Sequence, residues 1–154
     1  MANTYTQLYT QFVFSVKGRD NLIKEAFRDE LAKVMCGIIK MHKCKTYAIY
    51  CNPDHTHILV GMHPTMSPAK LMEPVKSGST NWLNRKQYLP QKFSWQDGSG
   101  AFTYSKSQID QVVKYILNQP EHHKKVTFRQ EYLKLLRKFE IEYDNKYLFE
   151  WHDE

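Results

Sequence analysis

The stretch Asp54-His55-Thr56-His57-Ile58-Leu59-Val60-Gly61-Met62 decides how the rest of the chain is read. It follows a turn-like Cys51-Asn52-Pro53-Asp54, is rich in β-branched and apolar residues, and has a glycine near its end. That is the composition of a β-strand leaving a turn. Side chains alternate across a strand, so His55 and His57 share one face, about 7 Å apart along the chain. Two neutral imidazoles at that separation can share one divalent cation. Thr56, Ile58 and Val60 face the other way and can pack against helices.

Working outward, Lys45–Tyr50 reads as the strand that pairs with this one through the short turn, an antiparallel hairpin. Before it, residues 5–16 are aromatic and β-branched and read as a first strand. A turn at Lys17–Asn21 then leads into a helix, with Asp20 or Asn21 available as its cap. Ile23, Phe27, Leu31, Val34 and Ile38 carry that helix at 3.6-residue spacing to about His42. After the hairpin, Ser67-Pro68 is a cap followed by proline at the first helical position. This second helix carries Leu71, Met72, Val75, Trp82 and Leu83, and Pro74 and Gly78 predict a kink or break in it. A Gly-containing loop, Trp95–Gly100, leads to a short strand, Ala101–Tyr104. Ser105-Lys106-Ser107-Gln108 fits a capping box and opens a third helix, with Ile109, Val112, Val113, Ile116 and Leu117 inward and Pro120 closing it. A fourth opens at Thr127-Phe128-Arg129-Gln130, with Tyr132, Leu133, Leu136 and Phe139 inward.

The order β-α-β-β-α-β, followed by C-terminal helices, predicts an α+β chain of the ferredoxin-like class: an antiparallel sheet with helices on one face. The first and third strands are central in that topology. The histidine pair is therefore expected mid-sheet, opposite the first two helices. At 154 residues, without repeats or low-complexity linkers, the chain reads as a single domain, 1–154.

A formal net charge of +6 favours a polyanionic partner, and the 14% aromatic content supplies rings for stacking on unpaired bases. The three cysteines, Cys36, Cys44 and Cys51, form no CxxC pair. With His42 their spacings match no usual zinc pattern, so they read as small buried hydrophobes. No apolar run approaches membrane-spanning length and Met1–Thr4 carry no signal pattern, so a reduced cytoplasmic setting is expected.

Three features coincide: the histidine pair, Tyr115 on the polar flank of the third helix, and Gln119 one turn beyond it. A tyrosine beside a metal-bound phosphate can act as a nucleophile and hold the cleaved phosphodiester covalently. The cation would polarise the phosphate oxygens, and the Gln119 amide oxygen could be a third ligand. Lys70, Lys76, Arg85 and Lys86 make the second helix basic, as DNA contacts or as a solvated face. His122 and His123 read as a solvated helix end, where a protonated imidazole suits the dipole, with a further ligand or a phosphate contact as the alternative. Trp95 and Phe102 read as core.

The joint order of Pro53–Val60, Trp95–Phe102 and Tyr115–His123 resembles the single-tyrosine HUH transposases of the insertion sequence 200/605 family, across nearly the whole chain. Thr56 departs from the family's bulky hydrophobe between the histidines. The resemblance implies that Tyr115 attacks a scissile phosphate in single-stranded DNA, giving a 5′-phosphotyrosine and a free 3′-hydroxyl. Reversal with another 3′-hydroxyl would rejoin ends. It implies Mg²⁺ or Mn²⁺ held by His55, His57 and Gln119, DNA hairpins as partners, and a homodimer whose tyrosine helices complete each other's sites. Other readings are a non-catalytic hairpin-binding protein on the same fold, a domesticated relative acting on dispersed palindromic repeats, and a replication or plasmid-transfer nuclease.

Overall fold

A computed structural model describes residues 4–144 and 148 of the chain. The elements in order are β1 (Tyr9–Ser15), α1 (Glu25–Met41), β2 (Lys45–Cys51), β3 (His55–Gly61), α2 (Pro68–Lys86), β4 (Gly100–Tyr104), α3 (Ile109–Leu117), α4 (Gln119–His122) and α5 (Phe128–Lys138). Short 3-10 turns at Lys17–Arg19 and Lys106–Gln108 precede α1 and α3. The sheet order is β2-β3-β1-β4 with every pairing antiparallel, which is the ferredoxin-like arrangement the sequence predicts.

Both faces of this sheet are covered, and that explains why β1 is buried along its whole length. Phe12 and Phe14 of β1, with Ile58 and Val60 of β3, face α1 and α2 through Leu31, Met35, Leu71 and Val75. The opposite side chains, Tyr9 and Leu59, meet Ile109, Val112 and Ile116 of α3 over one half of the sheet. Val13 and Phe102 meet Phe128, Tyr132 and Leu136 of α5 over the other half. The histidine face thus lies under a layer of α3 and α5. Gly100 permits the close approach of α5, since a Cβ there would fall 2.8 Å from the Tyr132 hydroxyl oxygen.

Several sequence expectations change. The first strand begins at Tyr9, leaving Tyr5 90% exposed. Lys24 occupies the N-cap of α1 without a side-chain cap bond, in place of Asp20 or Asn21. Helix α2 runs unbroken through Pro74 and Gly78. Ser67 accepts a bond from the Lys70 N–H, and Leu71, Met72, Val75, Ser79 and Leu83 bury one continuous face, which outweighs the single bond Pro74 removes. Gly78 lies against Ile38 of α1, where a Cβ would come 2.5 Å from a side-chain methyl, so it serves helix packing. Pro120 does not close α3; it sits in the first turn of α4, a position that tolerates proline. Leu117 leaves the predicted inward stripe and is 58% exposed. Trp95 and Phe102 are core, and Cys44 and Cys51 are buried, as read from the sequence, whereas Cys36 is only half-buried. Of the acidic and aromatic tail from Ile141 to Trp151, positions 145–147 and 149–151 lie outside the described residues.

Candidate active site

The tight β2–β3 turn presents the first histidine. The Asn52 N–H donates to the His55 carbonyl (2.7 Å), and the Val16 N–H donates to the Asp54 carbonyl (2.9 Å), tying the turn to the end of β1. His55 and His57 then project from β3 with ring centroids 5.2 Å apart, both fully buried. The His55 ring stacks on Phe128 of α5 at 3.8 Å.

Each imidazole that faces the centre is backed by a polar partner. His55 Nδ1 lies 2.7 Å from Asp54 Oδ1, and His123 Nδ1 donates to the Val126 carbonyl at 2.8 Å. His57 Nδ1 lies 2.9 Å from the Gln11 amide nitrogen, and the Tyr104 hydroxyl donates to Gln11 Oε1 at 2.7 Å. For His55 and His123, occupying Nδ1–H with an acceptor turns the Nε2 lone pair inward, the usual pose of a metal-binding histidine.

The three Nε2 atoms converge on one carboxylate. Glu131, 3% exposed on α5, places Oε1 at 2.9 Å from His57 Nε2, 3.2 Å from His123 Nε2 and 3.4 Å from His55 Nε2. Its other oxygen accepts bonds from the Tyr115 hydroxyl and from the Gln119 amide nitrogen (3.0 Å). His122 Nε2 lies 3.1 Å from Oε2, without the angle of a hydrogen bond. Gln119 Oε1 accepts from Asn52 Nδ2 (2.9 Å) and sits 2.9 Å from His123 Nε2.

These contacts set the charges. Burial alone would raise the Glu131 carboxyl, but His57 beside it and the contacts of His122, His123 and His55 hold it well below the usual carboxylate range. Burial opposes a charge on His55, yet Asp54 and Glu131 together raise its pKa. Burial dominates at His57 and lowers its pKa. Burial, with the Glu131 charge adding to it, pushes the Tyr115 phenol up, which keeps it protonated.

The residues fit a divalent cation. The ligand atoms of His55, His57, His123 and Glu131 all lie within 4.8 Å of one another. Ligand bonds of about 2.0–2.2 Å would put opposed donors ~4.4 Å apart, so the cluster is close to the size one ion needs. As it stands, His123 Nε2 faces two oxygens, Gln119 Oε1 and Glu131 Oε1, and a shared cation would relieve that opposition.

The structure brings His55, His57, Tyr115 and Gln119 together, but Tyr115 and Gln119 do not lie on a solvent flank. Gln119 is fully buried and Tyr115 partly so, because α5 packs over that side of α3. Helix α3 also ends at Leu117, so Gln119 belongs to a new turn and not to an i+4 position on the same helix. Lys70, Lys76, Arg85 and Lys86 lie apart from the site, on α2 at the other face of the sheet. Lys76 Nζ donates to the Gln96 carbonyl (3.1 Å) and the Gly98 carbonyl (2.6 Å), and burial lowers its pKa to about 8.

The sequence reading missed Glu131, and of its two readings of His123 the inward one fits: His123 joins the cluster and is not a solvated helix end. The signal for Glu131 was available. It falls three residues after Phe128 and one before Tyr132, so the inward stripe of α5 carries a carboxylate.

Residues 4–119 match the family model described as transposase IS200-like. No curated protein matches the chain. Two solved structures share the fold. One, described as a candidate transposase from Deinococcus radiodurans R1, is 20% identical with a TM-score of 0.62, covering 76% of this chain and 94% of that one. The other, a REP-associated tyrosine transposase bound to a REP hairpin, is 15% identical with a TM-score of 0.60, covering 99% of this chain and 90% of that one. Among the described residues, no helix is long and apolar enough to cross a membrane.

Proposed function

The chain belongs to the IS200-like transposase family, and from that premise we propose that it cuts and rejoins single-stranded DNA with Tyr115 as the nucleophile. The observation that carries this reading is the Tyr115 hydroxyl hydrogen-bonded to Glu131, whose other oxygen faces the histidine cluster. In the cleavage step the Tyr115 oxygen attacks the phosphorus and its proton passes to Glu131 Oε2. The bond from phosphorus to the 3′-oxygen breaks, and that oxygen leaves as a 3′-hydroxyl after taking up a proton. The 5′-phosphate remains on Tyr115. Attack by a different 3′-hydroxyl reverses the sequence and joins new ends, with no external energy source because the ester bond is conserved.

His55, His57, His123 and Glu131 would hold a divalent cation, with Gln119 contributing its amide oxygen or orienting Glu131 through its amide nitrogen. When bound, the cation would polarise the scissile phosphate and offset its negative charge. Imidazole donors suit Mn²⁺ better than Mg²⁺, which prefers oxygen ligands, so of the two ions implied by the resemblance Mn²⁺ is the better match.

Tyr115 meets the histidines of its own chain, which supports a tyrosine acting in cis. A homodimer that exchanges tyrosine helices, as the resemblance implies, would have to lift α3 from Ala48 and Leu59. The partner is read as single-stranded DNA with a hairpin, in the cytoplasm where such DNA is exposed. One observation favours a relative that acts on dispersed palindromic repeats: α5, which supplies Glu131, lies beyond the family match but within the 99% of the chain covered by the REP-associated structure.

The test incubates the protein with labelled single-stranded oligonucleotides from both flanks of its gene, with Mn²⁺ or chelator, and runs a denaturing protein gel. A metal-dependent covalent band that is absent with Tyr115→Phe is expected. A hairpin that binds on a native gel while no band forms with any oligonucleotide would favour the binding-only protein.

A further inference from the structure

Beside the catalytic cluster, α3 and α5 enclose a cavity of about 290 Å³ that the chemistry above does not use. Tyr115 and the buried Glu131 are among its lining residues, so it adjoins the cluster directly. Val112 and Leu135 form apolar walls and the Tyr104 ring adds an aromatic one. Gln111 and Lys134 stand exposed at the rim, and neither forms a hydrogen bond or ion pair among the described residues. Lys138 holds its ammonium 5.7 Å from the centre of the Tyr104 ring, and both line the cavity.

From these walls and this rim we infer that the cavity takes one unpaired nucleobase, that of a nucleotide next to the phosphate Tyr115 attacks. The inference rests on the strand-cleavage reading. The volume is at the lower end of the roughly 300–1,000 Å³ of small-molecule sites, which suits one base and excludes a base pair. A base needs apolar or aromatic surface for its two faces, supplied by Val112, Leu135 and Tyr104. Its edge needs donors and acceptors, and the free amide of Gln111 offers both. Its flanking phosphates need cations, which Lys134 and Lys138 provide. A strand lying with its phosphate at Tyr115 has its adjacent nucleotide at this cavity. The site would therefore add sequence preference at one position of the cleavage site, independently of hairpin recognition.

Two measurements separate the cavity from the chemistry. In the first, the four deoxynucleoside monophosphates are titrated into the full chain while the methyl NMR signals of Val112 and Leu135 are followed. Saturable shifts of both signals are expected, with affinity reduced at least threefold in Gln111→Ala. In the second, single abasic positions are scanned across a cleaved oligonucleotide. Adduct formation should fall about tenfold at one position flanking the cut, the loss expected for one stacked base, and the same abasic change should matter less in Gln111→Ala. Unmoved methyl signals with all four nucleotides at ~10 mM, or a flat abasic scan beside normal cleavage, would overturn the inference. Nucleotide binding without cleavage of any oligonucleotide would keep the base site and remove the strand-cleavage reading instead.

Discussion

Glu131 does two things with its two oxygens. Oε1 faces the Nε2 atoms of three histidines, and Oε2 holds the Tyr115 hydroxyl and the Gln119 amide. Glu131→Gln keeps the shape and removes both the charge and the proton acceptor. Adduct formation should fall by about 10²–10⁴, the range for loss of a positioned acid–base group, and Mn²⁺ binding followed by calorimetry should weaken with it. The same carboxylate makes metal-free stability depend on pH. Its folded pKa is lowered, so its contribution is present above the unfolded value of ~4.3 and is lost as pH falls through the folded one. The folded pKa of His55 is raised, so its contribution is complete below ~6.5 and is lost as pH rises through the folded value. In chelator, the difference in Tm between wild type and Glu131→Gln should be largest between pH ~4.5 and ~6.5 and shrink on either side. A difference that stays constant from pH 4 to 8 would count against a charged Glu131–His55 pair.

At the scale of elements, the site exists because α3 and α5 lie on the same face of the sheet, each over its own half. Gly100 sets how closely α5 approaches, with Tyr132 and Phe102 atoms within 3.0 Å of where a Cβ would stand. Gly100→Ala should therefore destabilise the fold by about 1–3 kcal/mol in a thermal melt, as overpacking does, and loosen Mn²⁺ binding by displacing Glu131. Strand β1 contributes from behind through Gln11, fully buried between His57 and Tyr104. Gln11→Leu removes the polar contact to His57 Nδ1 and should weaken Mn²⁺ affinity about 10–100-fold, while Gln11→Glu, which puts an acceptor for Nδ1–H where the amide nitrogen stands, should restore most of it. Equal losses in both variants would make Gln11 a packing residue only. The sequence made the sheet legible because a period of two places His55 and His57 on one face regardless of what covers them. The capping residues Ser67, Ser105 and Thr127 marked helix starts for the same local reason. What it did not reveal depends on tertiary packing. Extrapolating α3 past Leu117 put Gln119 on a solvent flank, because nothing local announces the turn at Asn118 or the helix that packs above it. Glu131 stood in plain view on an inward stripe but is 74 residues from His57, and no local pattern links the two.

At the scale of the whole molecule, the proposed chemistry needs one chain only, with Tyr115 set against His57 and Glu131 of that same chain. Mixing Tyr115→Phe with His57→Ala tests this in solution. A tyrosine acting in cis predicts no adduct above either variant alone, whereas exchange of tyrosine helices would restore a substantial part of it. The charge of +6 favours a polyanionic partner without specifying where a strand would run. The basic residues of α2 face away from the site, so Lys70→Ala and Arg85→Ala together should leave the cleavage rate of bound DNA unchanged even if they weaken binding. The most direct measurement is peptide mass mapping of the covalent protein–DNA adduct formed with Mn²⁺. A nucleotide joined through its 5′-phosphate to Tyr115, in the peptide spanning α3, is expected. Attachment to any other residue, or through a 3′-phosphate, would contradict the proposed chemistry.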